Sequence, residues 1–340
     1  MRHIAFPSIE QFRNVVVEVN QLSTRIGAAE DGTPLYDESL PKPTLTFTGT
    51  VKLHGTNAGV CYHPEHGLWY QSRESLLTPQ QDNAGFARWA EANGAALTPL
   101  FTALIEANQI EFGADTVLAL YGEWAGKGIQ AGVAIAQIPK AFFLFAASIS
   151  HGGEEEILWL DTSGLRSPEH RIFHVEDYAT YRIEIDFNAP QKSQAELAEL
   201  TAKVEAECPI AKEHGVIGVG EGIVWMADYM GARLMFKVKG EKHSVSKVRE
   251  LASVAPDKLA SIEEFVQYAV TDNRFQQALR VVFGDPKRAD VKRLGEVIQW
   301  MNRDIQKEES DTLEASGLQW KEVSGPVAAR TRALFFALEV

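Results

Sequence analysis

The sequence predicts an α+β protein in two parts: a larger N-terminal domain with antiparallel sheets and a small all-helical C-terminal domain. Short runs of alternating β-branched and aromatic residues, separated by turn residues, recur from about residue 44 to residue 239. From about residue 246 the apolar residues recur at helical spacing and the strand pattern stops. We therefore expect one domain over residues 1–245 and a second over residues 246–340.

The N-terminal domain is predicted to open with a helix. Ser8 and Gln11 have the spacing of a capping box, so this helix is expected to start there and to run to about Leu22. The next segment, 27–43, is rich in glycine, proline and aspartate and is expected to be a loop. A strand rich in β-branched residues is predicted over 44–50.

Alternation and turn signals predict the other strands, and helical spacing or a capping box predicts the other helices. The predicted strands are 58–62, 68–72, 116–121, 141–147, 156–160, 222–226 and 234–238. The predicted helices are 86–108, with Gly94 as a weak point, then 193–207, 262–269, 274–283, 291–308 and 327–338.

The most apolar stretch, 131–149, does not predict a membrane span. Gln137 and Lys140 interrupt it, whereas a span needs roughly 20 mostly unbroken apolar residues. The N-terminus lacks the apolar core of a signal peptide. Cys61 and Cys208 are too few for a disulfide framework and are expected to be buried free thiols. These features predict a cytoplasmic protein without a membrane partner, and they leave the oligomeric state open.

The formal net charge of -13 argues against a protein that holds nucleic acid mainly through bulk positive charge. A local basic segment stands out from this acidic background, with Glu241 as its one acidic residue. Its basic residues are Arg233, Lys237, Lys239, Lys242, Lys247 and Arg249. The sequence therefore still permits a focused phosphate site.

The leading candidate for chemistry is the run KLHGTN at residues 52–57. It places Lys52 at the end of a predicted strand, followed by a turn that contains Gly55 and short polar side chains. Taken alone, this pattern is typical of a surface turn. Its interpretation depends on the motifs that follow it along the chain.

Those motifs come in a fixed order and combine an arginine, two carboxylates, an aromatic strand and a pair of lysines. Because alternate residues of a strand share a face, the two lysines are expected to lie side by side. The residues are Arg73 in QSR, Glu123 in YGEW, Phe145 at the end of FFLF, Glu221 in EGIV, and Lys237 and Lys239 in FKVK.

This series resembles the covalent nucleotidyltransferase superfamily of ATP-dependent ligases and mRNA-capping enzymes. Within it, KLHGTN looks like the second RNA ligase family, that of the phage T4 nick-sealing ligase and the trypanosome RNA-editing ligases. DNA ligases and capping enzymes usually have aspartate where this chain has His54. The resemblance covers roughly residues 45–245 and implies that the N-terminal domain is a nucleotidyltransferase, or adenylation, domain.

The resemblance implies an ATP-dependent RNA ligase that joins 3′-hydroxyl and 5′-phosphate ends through a lysyl-AMP intermediate, using ATP and Mg²⁺ or Mn²⁺. A protonated lysine is a poor nucleophile, and nearby positive charge favours loss of its proton. The implied roles are Lys52 as nucleophile, His54 and Asn57 around the phosphates, Arg73 on the ribose or the RNA end, Glu123 on the ribose hydroxyls, Phe145 stacked on adenine, Glu221 supporting the metal, and Lys237 and Lys239 on the phosphates.

One departure and several alternatives stay open. Some family members carry an acidic residue directly before the nucleophile, where this chain has Val51. The alternatives are a DNA ligase, a capping-type enzyme that uses GTP, or a non-catalytic module that binds RNA ends. The motifs do not distinguish a nicked duplex, a broken RNA or a single strand as the substrate, because they include no identifiable contact to a 2′-hydroxyl.

Two other motifs are interpreted as turns. The glycines of GEWAGKG at 122–128 are too closely spaced for a phosphate-binding loop, so Gly126 and Gly128 are expected to be turn glycines. His63 and His66 flank Pro64 like a metal-binding pair, but no further ligand cluster accompanies them in the sequence. A hairpin turn is favoured there.

Overall fold

A computed structural model describes residues 1–152, 157–240, 262–283 and 286–338. The chain divides into two compact units that alternate along the sequence. The first unit comprises Met1–Ser8, Thr50–Thr180 and Glu207–Gly220, and the second comprises Ile9–Gly49, Tyr181–Ala206 and Glu221–Val340. The predicted domain boundary after residue 245 lies outside the described residues and stays a prediction.

The strands and helices follow one another as mixed α+β elements, and the last part of the chain is helical. The strands are β1 (Arg25–Ala28), β2 (Pro34–Tyr36), β3 (Thr44–Lys52), β4 (Thr56–His63), β5 (Gly67–Ser72), β6 (Leu76–Leu77), β7 (Val117–Ala125), β8 (Ala141–Ser150), β9 (Leu158–Leu160), β10 (Ile172–His174), β11 (Thr180–Asp186), β12 (Gly222–Tyr229) and β13 (Ala232–Lys239). The α-helices are α1 (Phe12–Thr24), α2 (Phe86–Ala92), α3 (Gly94–Asn108), α4 (Gln194–Ala206), α5 (Pro209–Glu213), α6 (Ile262–Ala269), α7 (Asp272–Phe283), α8 (Leu294–Glu308), α9 (Ser310–Ala315) and α10 (Trp320–Phe336).

The first unit is built on one sheet, whose strands lie in the order β10-β8-β7-β4-β5-β6 within the described residues, with β9 on β8. All its described pairings are antiparallel except that of β10 with β8. Alternate residues of β4, among them Ala58 and Val60, face a core that α2 and α3 cover with Phe86, Leu97 and Phe101. The other face of the sheet points away from these two helices.

The opposite face of this sheet packs against the N-terminal segment. The amide of Ile4 donates to Oε1 of Gln71 at 3.0 Å, and the indole of Trp69 donates to the carbonyl of Arg2 at 3.0 Å. The ring of Phe6 lies 5.1 Å from that of Tyr121, centroid to centroid. Part of this face is therefore structural, and the rest carries candidate functional residues.

The second unit has a sheet in the order β11-β3-β12-β13. Its buried aromatic residues pack together, and the ring of Phe236 lies 5.2 Å from Phe47 and 5.0 Å from Phe12 of α1. Strand β3 begins in this unit, while Thr50 and the two residues after it belong to the first unit. Just before Lys52, the chain therefore passes from the second unit into the first.

The C-terminal helices have their own apolar core, which includes Phe265, Leu279, Val297, Met301 and Val327. This confirms the predicted α+β class with antiparallel sheets and a helical C-terminal region. None of the described helices combines the length and the apolar character that a membrane crossing requires.

Several predicted elements differ from the structure. Ser8 does not cap a helix: α1 starts at Phe12, and the Ser8 hydroxyl accepts a hydrogen bond from Arg73 instead. The predicted loop 27–43 contains the last two residues of β1 and all of β2, which pair as a hairpin, and β11 was not predicted. The predicted helix 86–108 is divided at Asn93, next to the expected weak point.

Candidate active site

Lys52 is the last residue of β3 and directly precedes the turn into β4. Its side chain is half-buried, with Nζ 3.5 Å from the backbone carbonyl oxygen of Leu53. The alternation of β3 buries Phe47 and Val51. The strand therefore fixes the backbone of Lys52 while the side chain keeps access to solvent.

Three side chains from separate segments hold the turn that follows Lys52. The amide of Gly55 donates to Oε1 of Glu123 at 2.8 Å, and Nε2 of Gln130 donates to the carbonyl of Gly55 at 3.1 Å. Nδ2 of Asn83 donates to the hydroxyl of Thr56 at 2.8 Å. Sequence reasoning missed Gln130 and Asn83, because both act through contacts distant in sequence.

Glu123 and Asn57 lie directly opposite each other on adjacent strands, β7 and β4. Paired residues of an antiparallel ladder share a face, so both side chains project from the sheet face opposite α2 and α3. The structure thus brings together two of the predicted nucleotide-binding residues, and the Gly55–Glu123 hydrogen bond links this pair to the turn after Lys52.

Phe145 occupies a β-bulge. Tyr121 pairs with Ala146 while the next residue of β7, Gly122, pairs with Leu144, which leaves Phe145 without a cross-strand partner. A bulge re-aims a side chain relative to regular alternation. The half-buried ring of Phe145 packs edge-on against Phe6 at 4.9 Å.

The two remaining predicted residues of the first unit lie in connecting segments. Arg73 follows β5, is exposed, and donates from its guanidinium to the Ser8 hydroxyl at 2.9 Å. His54 is half-buried in the turn between β3 and β4. The predicted turn glycines Gly126 and Gly128 are confirmed, with φ values of 135° and 84° directly after β7.

Glu221 and Lys239 form an ion pair in the second unit, with Oε1 and Nζ 3.4 Å apart. Glu221 is only 3% exposed. Burial alone lowers the pKa of the Lys239 ammonium, but the carboxylates of Glu221, Glu308 and Asp304 outweigh burial and the net pKa is raised. Lys239 therefore stays charged at neutral pH.

Lys237 lies on the same face of β13 as Lys239, as predicted, and the buried Phe236 and Val238 alternate with them. Its Nζ is 3.2 Å from Oε1 of Glu308 at the end of α8. The sequence offered a signal for Glu308, because it falls three residues after the buried Ile305 on the apolar stripe of its helix.

Replacing Glu308 with glutamine is expected to destabilise the protein by about 2 kcal/mol at neutral pH. Burial raises the pKa of this carboxyl, but Lys237 and Lys239 lower it by more, so the pKa is lower in the folded state. The stabilisation is then present above the ordinary carboxyl pKa near 4.5 and is lost as the pH falls through the folded value.

Thermal unfolding measured across pH tests this expectation. The difference between wild type and Glu308→Gln should narrow as the solution becomes acidic. Glu296→Gln is the matched control, because Glu296 lies on the same helix and pairs with Arg293 at the exposed surface. A Glu308→Gln difference that is constant down to the most acidic pH would contradict an ionic origin.

The three members of the basic segment that the structure describes all have acidic partners. Arg233 forms a bidentate ion pair with Asp228 at 2.9 and 3.1 Å across the β12–β13 hairpin. Lys237 and Lys239 form the ion pairs above. The other predicted members, Lys242, Lys247 and Arg249, lie outside the described residues, and so does Glu241.

Comparison with known proteins agrees with these motifs. A family model described as RNA ligase matches residues 45–239. No curated protein is similar enough in sequence to count as a match. A Naegleria gruberi RNA ligase with PPi is 16% identical, with a TM-score of 0.39, over 70% of this chain and 56% of that one. A mutant of that ligase with ATP and Mn gives 16% identity and a TM-score of 0.40 over the same shares.

The match thus covers little more than half the length of the ligase chains to which this protein is similar. The family match, by contrast, covers more than half of this chain, and it includes every one of the predicted site residues from Lys52 to Lys239. The chain belongs to the RNA ligase family.

Proposed function

We propose that this protein is an ATP-dependent RNA ligase that joins a 3′-hydroxyl to a 5′-phosphate through a covalent AMP adduct on Lys52. The observation that carries the proposal is the hydrogen bond from the Gly55 amide to Glu123. This hydrogen bond connects the turn after Lys52, the predicted nucleophile, to Glu123, the residue predicted to bind the ribose of the same nucleotide. Membership of the RNA ligase family supports it.

In the first step, the lone pair of Lys52 Nζ attacks the α-phosphorus of ATP. A nitrogen–phosphorus bond forms, the bond to the bridging oxygen breaks, and pyrophosphate leaves with that electron pair while Nζ loses a proton. The charge that spreads over the phosphate oxygens needs positive groups close by. Lys237 and Lys239 are the proposed phosphate-binding lysines.

The second step moves AMP to RNA. An oxygen of the RNA 5′-phosphate attacks the adenylate phosphorus, the nitrogen–phosphorus bond breaks, and Lys52 regains its proton. In the third step, the 3′-hydroxyl oxygen attacks the activated 5′-phosphate, loses its proton and displaces AMP. The proposed contacts of Arg73 with the ribose or the RNA end, and of His54 and Asn57 with the phosphates, orient these groups for attack.

Glu221 is the residue proposed to support a divalent cation. Carboxylate oxygen is a ligand that Mg²⁺ and Mn²⁺ accept, and Mg²⁺ commonly takes one or two protein carboxylates together with substrate phosphates. Glu221 provides one such carboxylate, already beside Lys239. When bound, the ion supplies charge stabilisation to the phosphate oxygens.

The test is to incubate the full chain with ATP radiolabelled at the α-phosphate and Mg²⁺, and then to add a nicked RNA duplex with a 5′-phosphate. We expect an acid-labile label on the protein that moves to the RNA and is released as AMP when the nick is sealed. The protein is first treated with pyrophosphate, which removes any AMP already attached.

The outcomes separate the alternatives. Equal labelling by GTP would support a capping-type enzyme, and better sealing of a DNA nick than of an RNA nick would support a DNA ligase. Absence of label together with retained binding of RNA ends would support a non-catalytic module. Sealing of broken or single-stranded RNA in place of the nick would keep the ligase assignment and change the substrate.

Replacing Phe145 with alanine is expected to weaken ATP use more than sealing of a pre-adenylylated end. Stacking of a base on an aromatic ring is worth about 1–3 kcal/mol, and this contact matters when free ATP binds. The measurement compares KM for ATP with the rate of sealing of a chemically adenylylated RNA. Phe6→Ala is the control for lost packing, because it removes the ring that contacts Phe145 and keeps the ring of Phe145 itself. Equal loss in both assays would contradict the stacking role.

A further inference from the structure

The tip of the β4–β5 hairpin brings three potential metal ligands together. His63 ends β4, and Glu65 and His66 follow it in the turn before Gly67 starts β5. One ligand atom from each of the three lies within 4.8 Å of the others. Across the part of the chain that the structure describes, this is the one group of three such side chains that meets the condition.

The hairpin turn confirms the prediction from the sequence and adds a ligand that the sequence did not identify. The amide of His66 donates to the carbonyl of His63 at 3.2 Å and closes the turn. The same turn brings the side chain of Glu65 beside the two imidazoles, whose rings stack with centroids 4.8 Å apart. A pair of histidines thereby becomes a set of two nitrogens and one carboxylate.

His63 is already positioned before any ligand binds. The side chain is 4% exposed, its Nδ1 accepts a hydrogen bond from the Glu65 amide at 3.1 Å, and its ring meets Phe112 edge-on. Glu65 and His66 are exposed and can change rotamer. The side-chain freedom lost on binding is therefore that of Glu65 and His66, since His63 is already buried.

The imidazole of His63 is not fully satisfied by the described residues. Its Nε2 is buried and has no hydrogen-bond partner among them, a state that is unfavourable for a buried polar group. Because Nδ1 accepts the Glu65 amide, the neutral ring carries its hydrogen on Nε2. A cation at Nδ1 displaces that amide, and a cation at Nε2 requires the hydrogen to move to Nδ1, so binding rearranges the turn in either case.

The ligand set selects the class of metal. Two imidazoles and one carboxylate with a fourth position for water suit Zn²⁺ and similar late transition metals. Mg²⁺ prefers oxygen ligands and keeps its water. Ligands of a tetrahedral Zn²⁺ site lie about 3.4 Å apart, given bonds of about 2.0–2.2 Å. The present separation of up to 4.8 Å therefore has to shorten when a metal binds, and two of the three side chains, Glu65 and His66, are exposed.

The hairpin tip is distinct from the candidate active site. Thr56 and Asn57 begin β4 and His63 ends it, seven residues after Thr56, which is about 23 Å at the usual rise of a strand. Cys61 shares the face of His63 but is buried and donates its thiol to Gln71 at 3.4 Å. It is accordingly not a fourth ligand.

We propose that His63, Glu65 and His66 form a binding site for Zn²⁺ or a similar late transition metal, which fastens the β4–β5 hairpin. The site is independent of the ligase chemistry. Metal binding is expected to raise the thermal stability of the protein, since any ligand of the native state alone does so.

The experiment uses the full chain without a histidine tag, freed of metal by a chelator and kept in excess Mg²⁺ so that oxygen-ligand sites are filled. Zn²⁺ is titrated by calorimetry into wild type, His66→Gln and His170→Gln, and thermal unfolding is recorded with and without Zn²⁺. His170→Gln is the matched control, because His170 is also exposed and lies beside Glu169 at 3.4 Å without a third ligand.

We expect one Zn²⁺ per wild-type chain, unchanged binding in His170→Gln, and affinity reduced by at least about tenfold in His66→Gln. The increase in unfolding temperature with Zn²⁺ should disappear in His66→Gln alone. Because His66 is exposed, this variant should fold normally without metal. Equal Zn²⁺ affinity in wild type and His66→Gln, or no binding to wild type, would overturn the proposal.

Discussion

Replacing Lys52 with alanine is expected to reduce attachment of AMP to the protein to background. The proposed first step needs a primary amine at this position, and no residue of the turn after β3 carries another one. Lys52→Arg should fail equally, because the guanidinium stays protonated in proteins and is no nucleophile at neutral pH. Both variants should fold, since the Lys52 side chain is half-buried at a strand end and is not part of the apolar core.

The measurement is the labelled protein band after incubation with ATP radiolabelled at the α-phosphate. Lys127→Ala is the control: Lys127 is exposed on the turn after β7, close in sequence to Glu123. It should label like wild type. Both Lys52 variants should still be tested for sealing of a pre-adenylylated RNA, since that reaction bypasses the first step. A labelled band that persists in Lys52→Ala would assign the adduct to another residue.

The parts of the fold and of the candidate site that the sequence predicted well depend on local patterns. Lys52 at a strand end, the hairpin around Pro64, and Lys237 and Lys239 on one face of β13 all follow from alternation with a period of two residues. This alternation predicts the structure correctly because each of these strands buries one of its faces. The helical character of the C-terminal region follows in the same way from apolar spacing.

The parts that the sequence did not predict depend on contacts between distant segments. The bulge at Phe145 exists only in relation to the register of β7 on β8, and no residue type marks it. Ser8 fits a capping box locally, yet its hydroxyl accepts a hydrogen bond from Arg73, 65 residues along the chain. Tertiary contacts outweighed a local preference there.

The acidic partners of Lys237 and Lys239 also depend on contacts that the sequence did not predict. Glu221 pairs with Lys239, and Lys237 pairs with Glu308, which lies 71 residues away in the sequence. The lysines therefore do not form a free basic surface. Any phosphate that they bind has to compete with carboxylates already in place, one of which lies at the end of helix α8.

Replacing Gly55 with alanine is expected to slow adenylylation by about a hundredfold, the cost that a displacement of about 1 Å near reacting atoms can have. A Cβ at this position would lie 2.4 Å from the backbone oxygen of Trp124 and 2.9 Å from Cβ of Ala125. Backbone atoms of a sheet strand cannot yield at that distance, so the turn must move. That movement breaks or lengthens the 2.8 Å hydrogen bond from Gly55 to Glu123 and displaces Lys52, three residues earlier.

The measurement is the single-turnover rate of AMP attachment at saturating ATP, with the unfolding temperature as a check on the fold. Gly94→Ala is the matched control, because its new Cβ would meet only Cδ1 of Leu68 at 3.8 Å, an ordinary contact, at the start of α3. It should react at the wild-type rate. Gly55→Ala should instead combine a near-normal unfolding temperature with slow adenylylation, because the strain falls on a turn at the edge of the core. A rate within about threefold of wild type would mean that the Gly55–Glu123 contact does not set the position of Lys52, and the proposed coupling between the nucleophile and the ribose-binding carboxylate would have to be abandoned.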